Sequence, residues 1–222
     1  MIKIINKTEI IKTLYENADQ ENAAPMSAYM RNQFDFLGIK KPKRALLTKQ
    51  FLKEAKKEEQ IDWGFVTRLW DLPEREFQYM AMEYLAAVKK LLVEDDLSNL
   101  QKLIVNKPWW DTVDLIAGNL VGEIGLRYRT QTEEVMKKWG RSQNIWIART
   151  AILFQLKYKD NTNKELLKKI IEDNLNTKEF FIDKAIGWAL REYSKTDAGF
   201  VKEVIETLDL APLAKREGGK YI

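Results

Sequence analysis

The amino-acid sequence predicts an all-α protein, a curved solenoid of stacked helix pairs, and three observations carry that expectation. Apolar residues recur at helical spacing along the chain. No alternating strand pattern with an Asn-Gly or Asp-Gly hairpin turn is found. Two segments also superpose: IWIARTAILFQLKY (145–158) on FFIDKAIGWALREY (180–193), with Ile147 on Ile182, Arg149 on Lys184 and Tyr158 on Tyr193, each pair 35 residues apart. REFQYMAMEYLAAV (75–88) and WWDTVDLIAGNLVGEI (109–124) follow looser versions at comparable intervals. A period of roughly 35–45 residues in a helical chain means helix pairs stacked in the manner of HEAT or armadillo arrays, with a concave side suited to an extended partner.

Taken in order, the elements follow from spacing and punctuation. Ile10 and Leu14 mark a first helix, and Phe77, Met80, Ala81, Tyr84, Leu85 and Val88 a middle one. Pro73 ahead of Glu74 and Glu76 reads as a first-turn proline followed by acids favoured by the helix dipole. Thr130 with Glu133 three residues later reads as a capping box. Phe181, Ala185, Trp188 and Ala189 mark a late helix. With 10 Gly, 5 Pro and no Ser/Gly-rich linker, residues 1–222 are expected to form one continuous repeat domain.

Composition narrows the chemistry. At 222 residues, 45% hydrophobic and 32% charged, the chain can bury one good core or a run of repeats. It has no Cys and no His. That excludes disulfides, thiolate nucleophiles, Cys/His zinc sites, cysteine-held iron–sulfur clusters and imidazole acid–base pairs. Chemistry here must use carboxylates, hydroxyls, amines, guanidinium groups or aromatic faces, and no cofactor or metal is expected. The first dozen residues are charged and no apolar run reaches membrane length, so a cytoplasmic location without membrane attachment is expected.

The overall charge is only +4, but it is clustered. Between residues 40 and 57, eight cations (Lys40, Lys41, Lys43, Arg44, Lys49, Lys53, Lys56 and Lys57) face Glu54 alone, a net of +7. Such a stretch is either a solvated helix face or a phosphate-contacting patch.

The most unusual cluster is Trp109, Trp110, Asp111, Thr112, Val113 and Asp114. Trp110 and Asp114, four apart, share one face of a helix. A Trp pair is commonly packing and an Asp after a loop commonly a cap. Yet Trp110, Asp114, Arg149 and Trp188 fall in successive repeats, where a purely apolar core has no use for an acid and a cation. Two Trp, an Asp and an Arg above a basic patch suit alkylated DNA, whose phosphates are negative while a purine alkylated at N3 or N7 is positive.

At these residues the chain resembles the AlkD family of DNA alkylation repair enzymes, alkylpurine DNA glycosylases built from HEAT-like repeats. The likeness runs through MSAYMRNQFDFLGI (26–39), LWDLPEREFQ (69–78), KPWWDTVD (107–114), NIWIARTAILFQLKYK (144–159), KEFFIDKAIGWALREY (178–193) and LAPLAKRE (210–217). It implies excision of N3- and N7-alkylated purines from duplex DNA by hydrolysis of the N-glycosidic bond, without a base-flipping pocket, within base excision repair. It also implies catalytic positions at Trp110, Asp114, Arg149 and Trp188.

The chemistry is compatible with having no histidine, because a cationic purine leaves without protonation. What remains is the charge developing on the deoxyribose. Asp114 is expected to stabilise it and orient water. Trp110 and Trp188 pack against sugar and backbone. Arg149 contacts phosphate or holds Asp114 ionised. Tyr29, Arg31, Lys40, Lys41, Lys43, Arg44 and Trp109 are expected to grip the DNA, and the chain to act as a monomer. The chain stops soon after LAPLAKRE, so any longer C-terminal helix of relatives is expected to be short here. The competing reading is a non-catalytic helical-repeat module that binds DNA or protein. A carboxylate-based, metal-dependent nuclease is poorly supported, since Asp111 and Asp114 have no further acidic ligand motif nearby.

Overall fold

The computed structural model describes residues 6–222, so the first five residues of the N-terminal segment, read above for a targeting signal, lie outside it. Among the described residues the secondary structure is helical, with no strand. A lone parallel bridge joins Asp35 to Glu74. No described helix is long and apolar enough to cross a membrane. The chain divides into two compact units, meeting in sequence at Leu91 and Leu92.

The first unit contains α1 (Lys7–Glu16), α2 (Gln20–Tyr29), α3 (Lys41–Ala55), α4 (Trp63–Asp71) and α5 (Arg75–Ala87). A capping box starts α1: Asn6 accepts from the amides of Thr8 and Glu9, and Glu9 accepts the Asn6 amide in return. Asp19 and Asp62 cap α2 and α4. The residues that marked helices in the sequence lie inside. Ile10, Leu14, Phe77, Met80, Ala81, Tyr84 and Leu85 are fully buried, each large apolar side chain contributing about 1.5–3 kcal/mol.

The start of α5 differs from the sequence expectation. Glu74 is the N-cap, so Pro73 precedes the helix instead of lying in its first turn. Glu76 is fully buried and serves another segment: the amides of Leu37, Gly38 and Ile39 each donate to its carboxylate at 2.9 Å. Gly38 makes this loop possible. Its φ is +86°, and a Cβ there would lie 1.9 Å from the Asp19 carbonyl oxygen.

The second unit contains α6 (Leu97–Val105), α7 (Trp110–Leu115), α8 (Gly122–Arg127), α9 (Arg129–Gly140), α10 (Ile145–Leu153), α11 (Lys164–Asp173), α12 (Phe180–Tyr193), α13 (Ala198–Thr207) and α14 (Pro212–Gly218). The helical-repeat solenoid read from the sequence is present: α7, α10, α12 and α14 pack successively in one row, with α9 and α11 beside them. Ion pairs tie neighbouring repeats at separations near the sequence period. Arg141 meets Asp173 at 3.1 Å, Lys168 meets Glu203 at 2.8 Å and Lys184 meets Glu217 at 3.2 Å. Solvent screens exposed pairs of this kind, so they add little to stability. Asn144, Asn163 and Asp197 cap α10, α11 and α13.

The capping box expected at Thr130 is absent. The helix begins at Arg129, its N-cap Tyr128 makes no side-chain cap, and Glu133 accepts instead from Arg129 Nε and Asn163 Nδ2, both at 2.9 Å. Those partners lie on the same helix and at the N-cap of α11, and they occupy both carboxylate oxygens.

Candidate active site

Asp114 and Arg149 meet in the second unit. Asp114 is near the end of α7, one turn after Trp110, and Arg149 lies on α10, packed against α7. The contact is a two-pronged fork: Nε to Oδ1 at 2.7 Å and Nη2 to Oδ2 at 2.8 Å. The remaining terminal nitrogen, Nη1, donates to the Phe181 carbonyl oxygen on α12. One guanidinium thus joins three successive helices of the row. Planar bidentate geometry is what arginine supplies and lysine does not.

The pair is mostly out of water. The Arg149 side chain is 5% exposed and that of Asp114 14%. Burial pushes the Asp114 carboxyl above its ordinary value, the hydrogen bonds and charge of Arg149 oppose this, and the charge of Asp111 adds to the rise. Because both carboxylate oxygens accept N–H donors, the fork holds the ionised form.

The backbone around Asp114 is irregular. Directly after α7, Ile116–Val121 forms a π-helical turn before α8 resumes. A widened turn re-aims the side chains that flank it and recurs at functional sites. The second half of this helix approaches the end of α10 closely: a Cβ on Gly122 would lie 2.8 Å from the Phe154 carbonyl oxygen. Tyr158 Oη donates to the Gly122 carbonyl oxygen at 2.7 Å, fixing that approach.

Of the four central residues, the structure joins Asp114 to Arg149 directly and places Trp110 one turn away, half-buried. Trp188 is half-buried on α12, two turns beyond Phe181. A cleft of about 760 Å³ lined by Gln155, Lys157, Thr162, Glu192 and Tyr193 has none of the four in its wall. Among the described residues no group of three or more Asp and Glu side chains could hold a metal ion.

Two residues expected to touch DNA are turned inward. Trp109 packs its ring 5.7 Å from Trp146 and 5.2 Å from Phe181, and its buried Nε1 has no hydrogen-bond partner. The Phe181 ring it packs against also lies 5.9 Å from the Arg149 guanidinium. Arg44 is 6% exposed: its Nε and Nη2 both donate to Glu83 Oε1, and its guanidinium lies 4.8 Å from the Tyr79 ring. Helical period explains this, because positions 44, 48, 51 and 55 form the buried face of α3.

The other candidates for DNA contact are at the surface of the first unit. Tyr29 is 71% exposed, and Arg31, Lys40, Lys41 and Lys43 are exposed. Lys43 donates to the Asn17 carbonyl oxygen at 2.8 Å. Sequence reasoning missed the aromatic support formed by Trp146 and Phe181. Its signal was available, for these two are related by the same 35-residue step that relates Asp114 to Arg149.

Comparison with known proteins agrees with this architecture. A family profile described as DNA alkylation repair enzyme matches residues 10–222. No curated protein matches the chain. Among solved structures, one described as a predicted DNA alkylation repair enzyme from Enterococcus faecalis is similar at 37% sequence identity with a TM-score of 0.86. The match covers 92% of this chain and 96% of that one. With an all-helical repeat fold and a profile match over nearly its whole length, the chain belongs to the family of DNA alkylation repair enzymes.

Proposed function

We propose that the chain is a monofunctional DNA glycosylase that hydrolyses the N-glycosidic bond of cationic N3- and N7-alkylated purines in duplex DNA. The observation that carries this reading is the Asp114 carboxylate, held ionised and oriented by the Arg149 fork one turn from the half-buried Trp110. A buried ion pair contributes little net stability against an apolar alternative, so its presence at this place favours a chemical use.

The reaction asks little of the protein. An alkylated purine already carries a positive charge, and breaking the bond to C1′ returns the electron pair to the base and neutralises it. The deoxyribose acquires the cationic character instead. A fixed carboxylate stabilises that charge and accepts a hydrogen bond from the attacking water, which delivers its oxygen to C1′ and its proton to solvent. Arg149 keeps the carboxylate aimed, and the faces of Trp110 and Trp188 suit a cationic sugar. Neither imidazole nor metal enters these steps.

Incubation of purified protein with methylated duplex DNA tests the reading. The expected products are free N3-methyladenine and N7-methylguanine, an intact strand bearing an abasic site, and no effect of EDTA. Strand binding without base release identifies the non-catalytic module instead. Borohydride trapping of a covalent protein–DNA adduct contradicts the monofunctional assignment.

A further inference from the structure

The first unit holds a cleft in which Asp114 and Arg149 have no part. Its volume is about 300 Å³, and Met26, Tyr29, Met30, Phe36 and Tyr79 line it together with the exposed Lys40. Tyr79 is held firmly: Phe36 lies 6.4 Å from its ring and the buried Arg44 guanidinium 4.8 Å. Arg44 is itself anchored on Glu83. Tyr29, in the cleft wall, is 71% exposed.

We propose that this cleft receives one unpaired nucleotide of a DNA strand, its base against the aromatic and methionine side chains and its phosphate at Lys40. Three observations select that occupant. The lining is aromatic and sulfur-rich, and every base offers a π-face whatever its sequence. The cationic residue in the wall is followed by the exposed Lys41 and Lys43, surface cations that complement the phosphates of a strand continuing past the cleft. Lys40 also precedes α3, which begins without a side-chain cap, so the helix dipole adds to the attraction for phosphate. The size argues the same way. A volume of about 300 Å³ is at the lower end of small-molecule sites, the scale of a single nucleotide. The inference rests on the chain acting on DNA and not on which bond it breaks.

The test compares two labelled duplexes by fluorescence anisotropy, one fully paired and one carrying a single unpaired nucleotide. Wild-type protein is expected to bind the second about tenfold more tightly, in line with stacking of one base on aromatic side chains. Met26→Trp fills the cleft and is expected to erase the preference, whereas Met26→Leu keeps it. If Met26→Trp fails to fold, Tyr29→Ala, at an exposed position, is expected to reduce the preference several-fold. Equal affinity of wild type for the two duplexes overturns the inference, and so does a preference that survives Met26→Trp. Base release from methylated duplex, measured separately on wild type, decides the glycosylase reading. Preference without release leaves the cleft standing, and release without preference removes it.

Discussion

Replacing Asp114 with Asn changes a single atom yet strikes both the fold and the proposed chemistry. In the native pair Nε reaches Oδ1 at 2.7 Å and Nη2 reaches Oδ2 at 2.8 Å. The amide keeps one acceptor, turns an NH2 donor toward a guanidinium N–H, and leaves a cation that is 5% exposed without its counter-charge. Breaking a buried pair from one side costs about 3–5 kcal/mol. At about 2–4 °C per kcal/mol for a chain of this size, Tm is expected to fall by roughly 6–20 °C. The retained bond from Arg149 to the Phe181 carbonyl oxygen and the 14% exposure of Asp114 place the expectation toward the lower end. Base release is expected to fall by about 10²–10³-fold, the usual loss when one preorganised electrostatic partner is removed. The double variant Asp114→Leu with Arg149→Met separates the two effects. It removes both charges, so most of the stability is expected to return while release stays at the level of the single variant. Thermal unfolding and timed release of N7-methylguanine provide the two readouts. Wild-type release by Asp114→Asn refutes the catalytic role, and a Tm within about 2 °C of wild type refutes the account of the buried pair. Recovery of both stability and release in the double variant shows that the pair serves only to fold the site.

Because burial raises the Asp114 pKa and release requires the ionised carboxylate, activity is present above that pKa and is lost as pH falls through it. The acid limb of the pH–rate profile is therefore expected above the ordinary aspartate value of 3.8, and Asp111→Asn, which removes one cause of the rise, is expected to move it downward. Gly38→Ala is expected to destabilise the first unit by more than about 2 kcal/mol in urea unfolding, since φ is +86° and the added Cβ meets the Asp19 carbonyl oxygen. Lys40→Ala, Lys41→Ala and Lys43→Ala are each expected to lower DNA affinity alike across sequences and to reduce the slope of log affinity against log salt by about 0.9, measured by anisotropy titration. Arg44→Ala is expected to act differently, lowering Tm through loss of the buried contact with Glu83 and leaving the salt slope unchanged.

Much of the fold is legible because period is a local property. Phe77, Met80, Ala81, Tyr84 and Leu85 announce a buried helix face by spacing alone, and all are fully buried. Repeat register is equally visible, and the 35-residue step that aligns Ile147 with Ile182 also relates the two partners of the central ion pair. Capping is less legible, for Thr130 and Glu133 satisfy the capping-box spacing while Glu133 is engaged by Arg129 and Asn163. A carboxylate near a helix start takes whichever donors tertiary packing brings nearest, as Glu76 does with three amides from a distant loop.

By itself the sequence determined the chemical vocabulary and the class of architecture. No Cys and no His leave carboxylate, guanidinium and aromatic groups, and helical spacing with a repeated register leaves a stack of helices. Only the tertiary structure decided which of those groups meet. Arg44 and Arg149 are alike in the sequence, each a cation on a helix, yet one faces Glu83 beneath Tyr79 and the other forks onto Asp114. Trp109 and Trp110 are neighbours in the chain, yet the ring of Trp109 is spent on packing beside Phe181. Burial causes this division, because a charge or a large ring inside a protein must take the partner that the adjacent helix happens to present, and that adjacency is set by packing rather than by local sequence.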